Sequence, residues 1–323
     1  MAKTNTTNTD QIRQLANRVH FAGILAELSE MREGNTSNGI PYISFSGVLQ
    51  CGEDAVYNVP FRTFVKSKKS DGSDSKNFAK VKNWYNNAVP MTANKDNATK
   101  VDMVGSLTDN PYVNVQGKLV EGTQYNVQLF NDFKEYAAEI DLEGFVHSIV
   151  DETRGEENTP TGRKLMRLIT RDMFGNTIDI KNIVIQQDLV DALDDAGYGK
   201  GTTAKFFITL TPNSRPKPVK KSGGIGVQRE TQGASYLEWI MTGAEEPIPD
   251  DSENYLDPKL IKKAMDVRKQ HLEEVEEAGY QGSQSTSTTT STNRNSVGGK
   301  TTNASTKAND GFVEIEADED FPF

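Results

Sequence analysis

The sequence predicts a mainly β protein with minor α structure, in which two similar five-stranded barrels are followed by a helix and a flexible tail. Three observations support this prediction: a weak internal repeat, alternating polar and apolar residues between glycine-marked turns, and a polar region that ends in acidic residues. Period-2 alternation between glycine turns is typical of half-buried antiparallel strands. A repeat of this kind indicates that one supersecondary unit is used twice.

The repeat is clearest at its glycines, which occupy matching positions in both copies: Gly23 with Gly144, Gly39 with Gly162, and Gly52 with Gly175. The spacing between the second and third of these glycines is the same in the two copies. The first glycine of each copy lies inside a predicted first strand, where it would allow a sharp bend.

Each copy continues with a third strand, a short helix and two further strands. We expect one face of the third strand to consist of Ala55, Tyr57, Val59 and Phe61 in the first copy, and of Ile178, Ile180, Asn182 and Val184 in the second. The helices are predicted at 75–86 and 187–195, and the last strands at 112–120, 125–130, 204–210 and 236–242. The segment 101–107 is a possible extra strand without an assigned place.

Three strands, a helix and two strands are the order of an OB-fold, a five-stranded Greek-key barrel. The sequence therefore predicts two tandem OB-folds. The alternative is a generic two-domain β protein whose strands share only their alternation.

The predicted parts are a flexible N-terminal segment (1–16), OB-fold 1 (17–138), OB-fold 2 (139–256), a C-terminal helix (257–279), a linker (280–310) and an acidic tail (311–323). Asp257 and Pro258 are typical of a helix start. We expect this helix to pack on the second barrel; a dimerising helix is the alternative. The linker is rich in Ser, Thr and Asn and too polar to bury a core, so we expect it to be disordered.

Composition argues against several classes of protein. One cysteine, Cys51, and three histidines exclude an intrachain disulfide and the usual zinc cages, so we expect no metal or other cofactor. No apolar run is long enough to span a membrane and the first residues lack a signal-peptide core, so we expect a soluble cytoplasmic protein. No nucleophile, base and orienting group occur together, and we expect no enzymatic activity. The net charge of −10 argues weakly against nucleic acid as a partner, but five of the negative charges lie in the tail.

OB-folds bind single strands across their second and third strands and between two loops, through aromatic rings for bases and Lys or Arg for phosphates. In the first copy the candidates are Tyr42 as a stacking platform, with Arg62, Lys66, Lys68 and Lys69. In the second copy Arg163, Arg167 and Arg171 should share one side of the second strand, about 13 Å apart. The loop before the last strand is the most basic stretch and contains Arg215, Lys217, Lys220, Lys221 and Arg229. It would close over a bound strand; a merely solvated loop is the alternative.

The tail combines five carboxylates with a Phe-Pro-Phe ending. The carboxylates require Lys or Arg on a partner, and the phenylalanines require an apolar pocket. The predicted docking residues are Asp318, Glu319, Asp320, Phe321, Pro322 and Phe323. A solubilising acidic tail is the alternative.

This ending resembles the tail of bacterial single-stranded DNA-binding proteins, in which acidic residues run into a terminal Pro-Phe. With its two barrels, the chain resembles the tandem OB-fold proteins of this family that large bacteriophages encode. The resemblance implies sequence-independent binding of single-stranded DNA in replication, recombination and repair, within the host cytoplasm. It also implies that the tail recruits replication and repair proteins such as a helicase, primase, polymerase or nuclease. We expect a monomer or low-order oligomer; the alternative functions are a protein–protein adaptor and a single-stranded RNA-binding protein.

Overall fold

The computed structural model describes residues 12–53, 56–69, 71–154, 159–214 and 235–286 of the 323-residue chain. Within these ranges the chain forms thirteen strands and three helices. None of the described helices is both long enough and apolar enough to cross a membrane.

The first barrel and its connections consist of β1 (Asn17–Leu28), β2 (Arg32–Asn35), β3 (Pro41–Cys51), β4 (Tyr57–Lys66), α1 (Lys76–Asn87), β5 (Lys100–Asp109), β6 (Tyr112–Val113), β7 (Leu119–Val120) and β8 (Thr123–Asp132). Strand β1 pairs with β3 and β5, and β3 pairs with β4. Strand β8 pairs antiparallel with β5 and parallel with β4, which closes the barrel.

The fourth strand of this barrel is β5, which contains the segment 101–107 that the sequence did not place. The prediction of a barrel strand at 112–120 is wrong, because β6 and β7 pair only with each other. Asn114 Oδ1 accepts a hydrogen bond from the Lys118 N–H at 3.0 Å, and Gly117 has φ of 74°. Such a side-chain-capped turn folds the segment back on itself before a barrel strand can form.

The second barrel consists of β9 (Ala137–Arg154), β10 (Thr159–Arg171), β11 (Thr177–Ile185), α2 (Gln187–Asp195), β12 (Thr203–Ser214) and β13 (Ser235–Ala244). Its pairings repeat those of the first barrel, including a parallel contact between the third and fifth strands, β11 and β13. Two closed barrels with the helix between the third and fourth strands confirm the predicted tandem OB-folds.

The predicted inner face of the third strand in the second barrel is correct at Ile178 and Ile180 and wrong beyond them. Asn182 has φ of 68°, and the register between β10 and β11 shifts at this point. Because Asn tolerates the left-handed conformation, it accommodates an extra residue in β11 as a bulge. The core positions that follow are therefore Ile183 and Ile185.

The first strands of the two barrels pair with each other. Strand β1 runs antiparallel to β9, with Val19 opposite Ile140. These two residues lie equally far before the matching glycines Gly23 and Gly144. The pairing is therefore symmetric, like an isologous contact between two copies of one subunit. It joins both barrels into one eleven-stranded sheet, and the predicted division at 138–139 falls near the start of β9.

The matching glycines are required by close backbone contacts. A Cβ atom at Gly23 would lie 2.2 Å from the Gln50 carbonyl oxygen, and one at Gly144 would lie 2.7 Å from that of Ile169. Each first strand can therefore bend against its second strand only where it lacks a side chain.

A continuous hydrophobic core runs through both barrels and includes Phe21 and Leu25 of β1 and Ile140 and Leu142 of β9. A second cluster consists of Ile12, Leu15, Phe145, Ile169, Leu256 and Ile261. It attaches the segment before β1 to the second barrel. Ile12 and Leu15, which we predicted within a flexible segment, are consequently buried.

Helix α3 (Pro258–Thr286) contacts both barrels. Asp257 Oδ1 accepts a hydrogen bond from the Lys259 N–H at 2.8 Å, as expected for a capped start. Ile261 packs in the cluster on the second barrel, as expected, while Gly279 lies so close to Val113 of β6 that a Cβ atom would be 2.3 Å from that side chain. The helix therefore fixes the β6–β7 hairpin of the first barrel relative to the second.

A buried ion pair forms part of this contact. Arg268 Nη1 of α3 lies 2.7 Å from Asp109 Oδ2 at the end of β5, and both side chains are almost fully buried. Burial raises the pKa of Asp109 to about 6, although Arg268 opposes the shift. Asp172, in the β10–β11 turn, is also buried, which raises its pKa, and its Oδ2 accepts the Asp109 N–H at 3.3 Å. Two barrels and α3 thus meet at one charged cluster.

We expect Asp109→Asn to remove a pH dependence of stability. The folded-state pKa of Asp109 is raised from 3.8 to about 6. This group's contribution is therefore fully present below about pH 4 and is lost as the pH rises through 6, by roughly 3 kcal/mol. Urea denaturation of both proteins between about pH 4 and about pH 7 should show the variant gaining relative to the unaltered protein as pH rises. A constant difference across this range would show that Asp109 is not titrating.

Candidate nucleic-acid interface

The outer surface of β2, β3 and β4 carries aromatic and basic side chains together. Ile43 and Phe45 point into the barrel core, so their neighbours on β3 point outward, and β4 alternates in the same way. We define the first-barrel face by five outward side chains on these strands: Arg32, Tyr42, Arg62, Phe64 and Lys66.

Tyr42 and Phe64 form an aromatic pair on this face. Their ring centroids are 4.9 Å apart, with 35° between the planes. The Tyr42 ring also lies against Gly34 of β2, where a Cβ atom would be 2.8 Å from the ring. Both rings are half-buried. Packing on the sheet therefore holds them as a rigid apolar surface suited to a nucleobase.

Basic side chains lie on either side of Phe64 along β4. Arg62 and Lys66 share its outward direction, each about 7 Å away along the strand. Lys66 lies opposite Tyr42 in the neighbouring strand. Cations at this spacing beside an aromatic pair match the alternation of phosphates and bases in a single strand.

Lys68 and Lys69 lie beyond the end of β4, in the loop before α1. Lys68 Nζ is 3.5 Å from Asp74 Oδ1, and both groups are exposed to solvent. An exposed pair of this kind is weak. Their predicted contact with nucleic acid stays a prediction.

Helix α1 holds β2 in place beside the first-barrel face. Lys82 Nζ lies 3.0 Å from Glu33 Oε1, and Tyr85 Oη donates a hydrogen bond to the Ser29 carbonyl at 2.8 Å. Tyr85 also packs on Phe45, as expected for a residue next to the core. The helix therefore positions the strand that carries Arg32 and Gly34.

A groove of about 480 Å³ lies on the first barrel. Ser46, Pro60 and Tyr125 are among its lining residues. The Tyr125 ring stacks at 6.3 Å between centroids on Trp239 of β13, which belongs to the second barrel. One residue of the groove, Tyr125, is therefore in contact with the second barrel.

The arginines of the second barrel have carboxylate partners. Arg163 donates two hydrogen bonds of 2.7 Å to Glu152 and two of 3.3 Å to Glu238. Arg167 donates two of 2.7 Å to Asp179, whose side chain is only 3% exposed. These hydrogen bonds raise the pKa of both guanidiniums. Their positive charge is balanced within the barrel.

The end of the same strand is covered by other parts of the chain. Arg171 Nη1 donates to the Ile12 carbonyl, and burial lowers the pKa of its guanidinium. Ile169, two residues earlier, is fully buried under Leu15 and Ile261 in the second hydrophobic cluster. Other segments of the chain therefore cover part of the side of β10 on which the three arginines were predicted to lie.

Two groups of predicted residues lie outside the described ranges. They are the loop residues Arg215, Lys217, Lys220, Lys221 and Arg229, and the tail residues Asp318, Glu319, Asp320, Phe321, Pro322 and Phe323. The loop connects β12 to β13, whose last described pair is Ser214 with Ser235.

Two residues of the first-barrel face, Phe64 and Arg32, were not predicted from the sequence. Phe64 has the same strand parity as Arg62 and Lys66, and this parity alone was enough to find it. Arg32 lies in a segment that reads as a polar loop, and only the pairing of β2 with β3 places it on the face.

Two reactive residue types are in unreactive settings. Cys51 is buried, and desolvation raises the pKa of its thiol to about 12. Burial lowers the pKa of His147 in β9, so its imidazole is neutral at pH 7. Across the described ranges, no group of three or more His, Cys, Asp or Glu residues is arranged to hold a metal ion.

A family model described as YorF matches residues 16–278. No curated protein matches the chain. Two matching solved structures are of the single-stranded DNA binding protein from Thermus aquaticus. The wild-type structure is 13% identical, with a TM-score of 0.42 over 75% of this chain and 97% of the other. A deletion mutant is 11% identical, with a TM-score of 0.44 over 74% and 98%.

We expect Arg167→Ala to lower the free energy of unfolding by about 2 kcal/mol, because it leaves the buried Asp179 without its bidentate partner. The double variant Arg167→Gln with Asp179→Asn removes both charges and should recover most of this loss. Urea denaturation at neutral pH measures both effects. If Arg167→Ala is as stable as the unaltered protein, the ion pair has no structural role.

Proposed function

We propose that this chain, which belongs to the YorF family, binds single-stranded DNA through the first-barrel face with little sequence preference. The observation that supports this most directly is the Tyr42–Phe64 pair flanked by Arg62 and Lys66 on the outer surface of a closed barrel. In OB-folds, the second and third strands form the surface on which oligonucleotides bind.

The chemistry of this face favours unpaired strands. Every base has a flat apolar surface, so stacking on Tyr42 and Phe64 does not depend on sequence. In a duplex these surfaces are already stacked on neighbouring base pairs. The net charge of −10 does not oppose binding at this site, because phosphates respond to the local charge within about a Debye length.

The basic loop between β12 and β13 would add phosphate contacts. In OB-folds, the loop between the fourth and fifth strands borders the binding surface. Arg215, Lys217, Lys220, Lys221 and Arg229 give this loop the chemistry needed to follow a backbone.

The tail would recruit other proteins to the coated strand. Asp318, Glu319 and Asp320 suit a basic surface, and Phe321 and Phe323 suit an apolar pocket. The proposed partners are replication, recombination and repair proteins, such as a helicase, primase, polymerase or nuclease. By its resemblance to phage-encoded proteins, the chain would act in the cytoplasm of a phage host, as a monomer or low-order oligomer without a cofactor.

Binding can be tested by fluorescence anisotropy with single-stranded DNA, duplex DNA and RNA of one sequence. We expect single-stranded DNA to bind at least about tenfold more tightly than duplex, because only unpaired bases can stack. Affinity should fall with salt, with log K against log[salt] sloping about −0.7 per phosphate contacted. A preference for RNA would support the RNA-binding alternative. If the protein binds none of these oligonucleotides, the protein–protein adaptor remains as the alternative function.

The tail proposal needs a separate test. We expect Phe321→Ala with Phe323→Ala to leave the affinity for single-stranded DNA within about twofold, since the proposed DNA contacts do not include these residues. In pull-downs from a bacterial extract analysed by mass spectrometry, the same variant should no longer recover replication and repair proteins. Replacement of Thr301 and Thr302 by Ala in the linker is a matched control. Equal recovery of partners by all three proteins would leave only a solubilising role.

A further inference from the structure

The two barrels can be compared position by position. Gly23 approaches the carbonyl of Gln50 and Gly144 that of Ile169, which aligns β3 with β10 so that Gln50 corresponds to Ile169, Ser44 to Arg163 and Tyr42 to Thr161. The alignment is supported by the pairing with the first strand, whose register shifts at the same place in both barrels, next to the buried Leu49 and Leu168. Outward positions of the two strands can therefore be compared directly.

The outward chemistry differs between the barrels. The first barrel has the Tyr42–Phe64 pair on this surface. At the position of Tyr42 the second barrel has Thr161, and β11 ends at Ile185, the counterpart of Thr63, before the position of Phe64 is reached. Strands β10 and β11 contain no aromatic ring for base stacking.

The arginines on the second surface are bound to carboxylates. In the second barrel Arg167 is bound to Asp179, which is almost fully buried, and Lys181 Nζ lies 3.8 Å from the same carboxylate. A phosphate that captured Arg167 would leave this carboxylate buried with reduced compensation, at a cost in free energy. Arg163 is held by Glu152 and Glu238 in the same manner.

Protein segments also occupy part of the second surface. Ile169 corresponds to the half-buried Gln50 of the first barrel, yet it is fully buried in one cluster with Leu15 and Ile261. The start of α3 and the segment before β1 therefore use this surface as their own packing site.

We infer that the barrels have different roles, and that the first barrel alone supplies base-stacking contacts. This inference rests on the proposed function. The β10–β11 surface of the second barrel is structural: its arginines hold carboxylates and its apolar residues hold α3 and the N-terminal segment.

Variants of each barrel test this division. The affinity of the full chain for a labelled dT oligonucleotide is measured for each variant. Tyr42→Leu should weaken binding about tenfold, because it removes one stacking ring. Lys66→Gln should reduce the magnitude of the salt slope by about 0.7, the value for one phosphate contact. The matched second-barrel variant, Arg167→Gln with Asp179→Asn, should change affinity by less than about twofold and leave the slope unchanged. Phe64→Leu repeats the stacking test if Tyr42→Leu does not fold.

The outcomes separate this inference from the proposed function. If the unaltered protein binds dT and the second-barrel variant weakens binding as much as Lys66→Gln, the division of roles is wrong while the proposed function stands. If neither Tyr42→Leu nor Phe64→Leu weakens binding, stacking does not occur on the first-barrel face, and the inference is also overturned. If the unaltered protein binds no oligonucleotide, the proposed function itself fails.

Discussion

The antiparallel pairing of β1 with β9 is the contact on which the rest of the structure depends. Strand β1 bends at Gly23, so that one half pairs with β3 while the other half is available to β9. Strand β9 bends at Gly144 and divides its pairing in the same way. Each first strand thus completes its own barrel and covers the edge of the other, which leaves no exposed strand edge at the junction. Because Val19 lies opposite Ile140, the two barrels are related by a local two-fold axis.

Because the backbones of the two barrels are related by symmetry, differences between their side chains indicate differences in role. The pairing places equivalent outer surfaces on both barrels, but a single chain has only one N-terminal segment and one α3. Both pack in the cluster around Ile169, and so, among the residues that the structure describes, they cover the surface of the second barrel and not that of the first. A symmetric homodimer would be covered on both surfaces or on neither. Joining two barrels in one chain is what allows one to keep an open surface while the other serves as a scaffold.

Local patterns were sufficient to predict the barrels but not their irregularities. Glycine spacing and alternation identified most strands, since both are determined by neighbouring residues. The bulge at Asn182 and the hairpin around Asn114 depend on single backbone or side-chain contacts that periodicity does not register. The partners of Arg163 were beyond sequence reasoning, because Glu238 is 75 residues away and reaches it only after the barrel closes.

The same limitation applies to any binding site that is predicted by counting the Lys and Arg residues of a segment. Arg163 and Arg167 increase the basic count of the second barrel, yet each contributes little net potential at the surface because a carboxylate lies within hydrogen-bond distance. Coulomb attraction for a phosphate depends on the sum of these charges and not on the arginines alone. Aromatic residues are a better guide here, since the pairing of Tyr42 with Phe64 is positioned by strand parity and cannot be cancelled by a distant residue. The overall acidity of the chain is therefore compatible with a local surface for single strands.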